Sequence, residues 1–300
     1  MVDSVMYGEN GYEYKPCAKS GLCDCRVITD HTEILCNTTA GSGKAHRWAV
    51  EIDGQNSTVS TTSYARPVIY NITGMVDGDC DGNEDVRIFG ANFGGDQGKL
   101  ESITYGPGGV GFTVTDSCVL VSHYRIDCKT SWGVGKDLSW LVTVDHQTSD
   151  LSTFTTNYKQ PELSVLVADD GMTVGGSLHT LNGTSLAVNV PGSYIEILID
   201  DVPILFNTRT SKAISGTADT GRSQTSDYIR FTLPEMTRLS QTKSVKVRVG
   251  HMEKSNVEQI SNSLSFVYHS PQINTIEVSS RSKRAFWKTS ILAMKCANWL

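Results

Sequence analysis

Apolar and polar residues alternate with a period of two in short stretches of this chain. Trp48, Val50 and Ile52 fall on one side and Ala49 and Glu51 on the other, as in a strand with one face buried. Trp140-Val142-Val144 and Val245-Val247-Val249 alternate in the same way. Before the first two stretches stand Gly41-Ser42-Gly43-Lys44 and Gly133-Val134-Gly135-Lys136, where a chain reversal needs residues that tolerate positive φ. Ser, Thr, Gly and Val are the most frequent residues, which favours strands and turns over helices. The expected fold class is all-β.

The pattern repeats over longer distances. Tyr64-x-x-Pro67-x-Ile69-x-x-Ile72 returns as Tyr158-x-x-Pro161-x-Leu163-x-x-Leu166 and as Tyr268-x-x-Pro271-x-Ile273-x-x-Ile276. Cys25, Ile34, Cys36, Trp48, Val50, Ile52 and Asp53 match Cys118, Ile126, Cys128, Trp140, Val142, Val144 and Asp145. In a third copy Ile229 and Phe231 take the places of Ile126 and Cys128, so an aromatic ring replaces the sulfur. Proline after each closing tyrosine removes a backbone donor and holds the preceding residue extended. It marks the end of one module and the start of the next, and so short a joint is expected to give a rod of modules.

Composition narrows the function classes. A chain of 300 residues, 39% of them hydrophobic, suits two or three cored domains. With 32 acids against 26 bases and a net charge of −6, no basic field exists to hold a phosphate backbone. Nucleic acid is not an expected partner. The sequence has no apolar run of about eighteen residues, the length of a membrane span, and its first residues read as no export signal. The seven histidines form no metal-ligand pair, and there is no nucleophile elbow. The Gly-x-Gly-Lys turns are no phosphate loops: Thr38 and Thr130 stand in place of the first glycine, and Ala45 and Asp137 in place of the magnesium-binding hydroxyl. The chain is not expected to be an enzyme or to hold a cofactor.

Cys25 with Cys36 and Cys118 with Cys128 have spacings that suit cross-strand disulfides better than zinc sites. Cys17 and Cys23 are a further possible pair, while Cys80 and Cys296 have no evident mate. Sequons at Asn37, Asn56, Asn71 and Asn182 fit a glycosylated exterior. Asp77, Asp79, Asp81 and Asp85 put oxygen ligands at alternate positions of a calcium-type loop with Gly82 at the turn, but Ile88 stands where a closing Glu is required. The expectation is an acidic surface turn, with weak Ca²⁺ binding as the alternative, since these acids repel one another without a cation.

Val86-Arg87-Ile88-Phe89-Gly90-Ala91-Asn92-Phe93-Gly94, Pro67-Val68-Ile69, the Cys118 and Cys128 pair and the closing Tyr158-Lys159-Gln160-Pro161 resemble the IPT/TIG family of immunoglobulin-like modules. Residues 68–161 resemble a complete module and 1–67 the second half of another, with Met6-Tyr7-Gly8 paralleling Thr104-Tyr105-Gly106. Residues 162–271 resemble a divergent copy without the cysteines and the Asn-Phe-Gly element. Residues 272–300 read as the start of a further module or an aberrant tail, with a basic aromatic stretch from Arg281 to Lys288. The resemblance implies tandem immunoglobulin-like β-sandwiches, the first one partial, similar to modules of plexins and related surface receptors, some transcription factors and starch-acting enzymes. The expected role is extracellular or cell-surface recognition or adhesion, with a protein or glycan partner. The alternative is an accessory carbohydrate-binding or spacer region of a larger extracellular enzyme or structural surface protein, in which the loop residue Trp132 could stack on a sugar.

Overall fold

The structure is a computed structural model that describes residues 2–17, 24–57, 60–168, 176–188, 190–204, 219–222, 227–233, 242–251, 254–267, 272–280 and 290–297. Two compact units emerge, residues 1–132 with 136–158 and residues 133–135 with 159–300. Cys23, Tyr268, Pro271 and the basic stretch 281–288 lie outside the described residues.

The first unit opens with β1 (Ser4–Gly8), β2 (Tyr14–Cys17), β3 (Cys25–Thr29), β4 (Glu33–Cys36), β5 (His46–Ile52), β6 (Gln55–Asn56) and β7 (Ser60–Thr62). These form an antiparallel sheet in the order β2-β1-β5-β6, with β7 also on β5, and a separate two-stranded hairpin β3-β4. The unit continues with β8 (Val68–Gly74), β9 (Asp85–Ala91), β10 (Leu100–Gly106), β11 (Phe112–Thr113), β12 (Cys118–Ser122), β13 (Arg125–Lys129), β14 (Ser139–Val144) and β15 (Gln147–Thr148). These make two four-stranded sheets, β12-β13-β9-β8 and β11-β10-β14-β15. One sheet takes the first, second, fifth and sixth of these eight strands and the other the rest, the partition of an immunoglobulin-like sandwich.

Alternation fills the core of that sandwich. Val86, Ile88, Ile126 and Cys128 from one sheet and Ile103, Tyr105, Trp140, Val142 and Val144 from the other are buried. The Asn-Phe-Gly element works through its backbone: Asn92 and Gly94 take φ of 64° and 76°, and Phe93 between them turns inward to 0% exposure. Gly106, at φ 140°, could not be replaced without strain, because a Cβ there would lie 2.0 Å from the Val110 carbonyl oxygen.

The second unit carries β16 (Glu162–Ala168), β17 (Leu178–Thr184), β18 (Ser193–Ile199), β19 (Val202–Ile204), β20 (Asp219–Arg222), β21 (Asp227–Thr232), β22 (Thr242–His251), β23 (Lys254–Ile260) and β24 (Leu264–Val267). Its sheets, β16-β17-β21-β20 and β19-β18-β22-β23 with β24 also on β22, repeat the strand order of residues 68–158. Ile229 and Phe231 are buried, as are Val245, Val247 and Val249. A further antiparallel pair is formed by β25 (Gln272–Ser280) and β26 (Ser290–Ala297).

Candidate functional site

Two repeated constructions hold residues 1–67 and 68–158 in shape. In the first, Cys25 is bonded to Cys36 and Cys118 to Cys128, each pair directly opposed across its hairpin with Cα atoms 4.0 Å apart. Cys17 is also disulfide-bonded, and its expected partner Cys23 is outside the described residues. Cys80 is a buried thiol.

In the second, a pair of tyrosines closes each module. The Tyr105 and Tyr158 hydroxyls are 2.5 Å apart. The Ser131 N–H donates to Tyr105 Oη at 3.0 Å, and the Tyr158 hydroxyl donates to the Ser131 carbonyl at 2.6 Å. Tyr7, Tyr64 and Thr39 repeat the arrangement, with 2.5 Å between hydroxyls and 3.0 and 2.6 Å to the Thr39 backbone. Trp140 stacks on Tyr105 and Trp48 on Tyr7, both at 4.3 Å between ring centroids; Trp140 is fully buried, while Trp48 is half-buried and donates its indole N–H to the Thr62 hydroxyl at 2.7 Å. Burial pushes the Tyr105 phenol up to about 12, against the hydrogen bonds to Tyr158 and Ser131, which act the other way. Burial, followed by the adjoining Tyr105, pushes Tyr158 higher still. The closing tyrosines and the Tyr-Gly strands are evident in the sequence but their pairing is not; the recurrence of both at matching positions is the available signal.

The acidic run 77–85 forms a turn. Gly82 N–H donates to the Asp79 carbonyl at 2.9 Å, and Glu84 and Asn83 are tied to the backbone and hydroxyl of Thr130. Asp85, at the start of β9, pairs with Lys129 at 2.9 Å. The structure does not bring the carboxylates of Asp77, Asp79, Asp81 and Asp85 together as a cation cage. Among the described residues one group places three ligand atoms within 4.8 Å of one another, and it is Glu101, Asp145 and His146.

That group borders a cleft of about 580 Å³ in the first unit, lined by Glu9, Glu13, Lys44, Arg47, Asp96 and Lys99 among others. The loops after β1 and before β5 supply one wall. Asp145, at φ 45° in the tight turn from β14 to β15, supplies the floor. Its buried carboxylate accepts from the Ser42 hydroxyl and from Lys99 Nζ, each at 3.0 Å, and the Lys99 ammonium is held above its ordinary range first by that hydrogen bond. His146 Nδ1 meets Glu101 at 2.8 Å. These acids are thus already engaged by protein donors.

Ser42, His46 and Asp145 also meet here, yet not as a hydrolytic triad. The Ser42 hydroxyl donates straight to the carboxylate, and His46 Nε2–H donates to the Ser42 carbonyl at 2.7 Å; a triad needs the imidazole between them. Glu13 sits at the rim. Desolvation acts to raise its pKa, but N–H groups of Asn10, of Glu13 itself and of Tyr12, with the Asn10 amide, outweigh it and hold the carboxyl at about 2. The cleft is a mixed-charge surface fitted for binding polar groups.

Asn37 and Asn56 are exposed, Asn71 on β8 and Asn182 on β17 half-exposed. Trp132 is 54% exposed. No described helix is long and apolar enough to cross a membrane.

No family model matches the chain, and no curated protein matches it. Among solved structures, it is similar to the full extracellular region of plexin A4 at 16% identity and a TM-score of 0.25, covering 78% of this chain and 21% of that one. It is similar to gamma-CGTase from Alkalophilic bacillus clarkii at 15% identity and a TM-score of 0.28, covering 72% of this chain and 28% of that one. A third likeness is to the FN1–FN3 domains of chicken CNTN1, at 10% identity and a TM-score of 0.22, covering 89% of this chain and 91% of that one. The all-β, immunoglobulin-like architecture rests on the pairing and order of the strands themselves.

Proposed function

We propose that this chain is a non-enzymatic recognition or adhesion region of an extracellular or cell-surface protein, built of tandem IPT/TIG modules at 1–67, 68–161 and 162–271 and binding a protein or glycan partner. The observation that carries the reading is repetition without chemistry. The same sheet order recurs in both units, while the serine, histidine and aspartate that meet at Asp145 are joined in an order that cannot activate a nucleophile. Disulfides across both hairpins favour an oxidising compartment. Residues 272–300 are read as the beginning of a further module or as an aberrant tail.

The test is saturable binding of the purified chain to intact cells, before and after protease treatment and after removal of surface glycans. Loss on either treatment identifies the partner class; no saturable binding on any cell type would sink the proposal. The exposed Trp132 supports a second reading, an accessory carbohydrate-binding region. A glycan array on which Trp132→Ala binds as the parent chain does would remove it.

A further inference from the structure

The strands sort the sequons of this chain into two kinds. Asn37 follows the end of β4, and Asn56 on β6 stands opposite Glu51. Asn71 and Asn182 lie inside longer strands, and each has an aromatic residue directly across from it. Asn71 on β8 pairs with Phe89 on β9, and Asn182 on β17 pairs with Tyr228 on β21. One such pair belongs to each compact unit. The two are not copies of one position: Asn71 is on the edge strand of its sheet, whereas Asn182 is on the strand next to the edge.

Directly opposed residues of an antiparallel pair point to the same face, with Cβ atoms about 4.5–5.5 Å apart. In both sheets that face is the outer one. The adjoining Ile72 and Ile88 are buried, as are Leu181 and Ile229, so alternation turns Asn71, Phe89, Asn182 and Tyr228 outward. All four are half-buried. The sequon threonines, Thr73 and Thr184, stand two residues further along and share the face. Each asparagine amide therefore has an aromatic ring beside it at the surface. The Arg230 guanidinium, 4.9 Å from the centre of the Tyr228 ring, takes one face of that ring and leaves the other for a second occupant.

We propose that Asn71 and Asn182 carry N-linked glycans whose first sugar lies against the ring across the strand, Phe89 for one and Tyr228 for the other. In the transfer the amide nitrogen bonds to C1 of an N-acetylhexosamine as the bond from C1 to the diphosphate oxygen of a polyprenyl-linked donor breaks. The diphosphate leaves with the electron pair, and the amide nitrogen gives up a proton to solvent. The sugar then sets its C–H groups on the negative face of the ring. Glycans at Asn71 and Asn182 are thus held at their base, and those at Asn37 and Asn56 are not. The proposal rests on the reading of the chain as extracellular.

The test uses the whole chain secreted by a eukaryotic host fed isotope-labelled glucosamine, with its glycans trimmed by endoglycosidase to the first N-acetylglucosamine. In NMR spectra, ring currents should move the sugar protons at Asn71 and Asn182 upfield of those at Asn56. Phe89→Leu keeps an apolar side chain and is expected to abolish the shift at Asn71 while leaving that at Asn182; Tyr228→Leu should do the reverse. Unchanged amide signals elsewhere show that a variant has folded. Should a leucine variant not fold, Asn71→Gln or Asn182→Gln, which removes the sugar instead, must displace the ring signals of Phe89 or Tyr228. Sugar signals at Asn71 and Asn182 that match those at Asn56, or that ignore the loss of the ring, overturn the proposal. Glycopeptide and disulfide mapping of chain from its natural source separates it from the reading beneath it. Bare Asn71 and Asn182 in chain with Cys118 bonded to Cys128 overturn the proposal alone. Free thiols at both cysteines overturn the extracellular reading and the proposal with it.

Discussion

A buried hydroxyl gains little by making a hydrogen bond but loses much by missing one, so the tyrosine clasps are where single residues matter most. Tyr105→Phe leaves the Ser131 N–H without the acceptor it now has at 3.0 Å, and is expected to lower stability by about 1–3 kcal/mol in urea unfolding. Tyr105→Phe combined with Tyr158→Phe should be less destabilising than the two added, because they share one network. The raised phenols set an alkaline limit. Unfolded tyrosine ionises near its ordinary value of 10.0, whereas folded Tyr105 holds its proton to about 12, so stability falls as pH rises through that window. Phenolate absorbance should show these two tyrosines ionising only with unfolding. Glu13 acts at the other end: with its pKa lowered from 4.5 to about 2, it contributes stability above 4.5 that is lost as pH falls towards 2. Glu13→Gln should remove that part of the acid slope.

Among the elements, the disulfide hairpins have the same covalent design in different surroundings. Replacing Cys118 and Cys128 together by alanine is expected to destabilise residues 68–158 by about 2–3 kcal/mol, the loop-closure value for so short a ring. Gly106→Ala should destabilise by about 1–3 kcal/mol through its φ and the Val110 carbonyl. Much of this level could be read from sequence. The period-two run at Trp140 is β14, the opposed cysteines are bonded, and Gly43 and Gly135 take the positive φ expected of the turns. What escaped depended on long-range pairing. Tyr7 and Tyr64 are 57 residues apart, and no local pattern says that their hydroxyls meet. The acidic run has the spacing of a cation loop, yet Asp85 opens a strand and pairs with Lys129. Asp145 reads as a turn residue; only the arrival of Ser42 and Lys99 makes it a buried charge.

At the scale of the molecule, the repeated sheet order explains why the third copy needs neither cysteines nor the Asn-Phe-Gly element. Ile229 and Phe231 fill the interior positions, and burial replaces the covalent staple there. The first two copies keep their sulfur bridges, and this ties the account to an oxidising exterior. Disulfide mapping by mass spectrometry, without reduction, on chain recovered from its natural source tests that tie directly. The account predicts peptides linked through Cys25 to Cys36 and Cys118 to Cys128; recovery of all four as free thiols would contradict it.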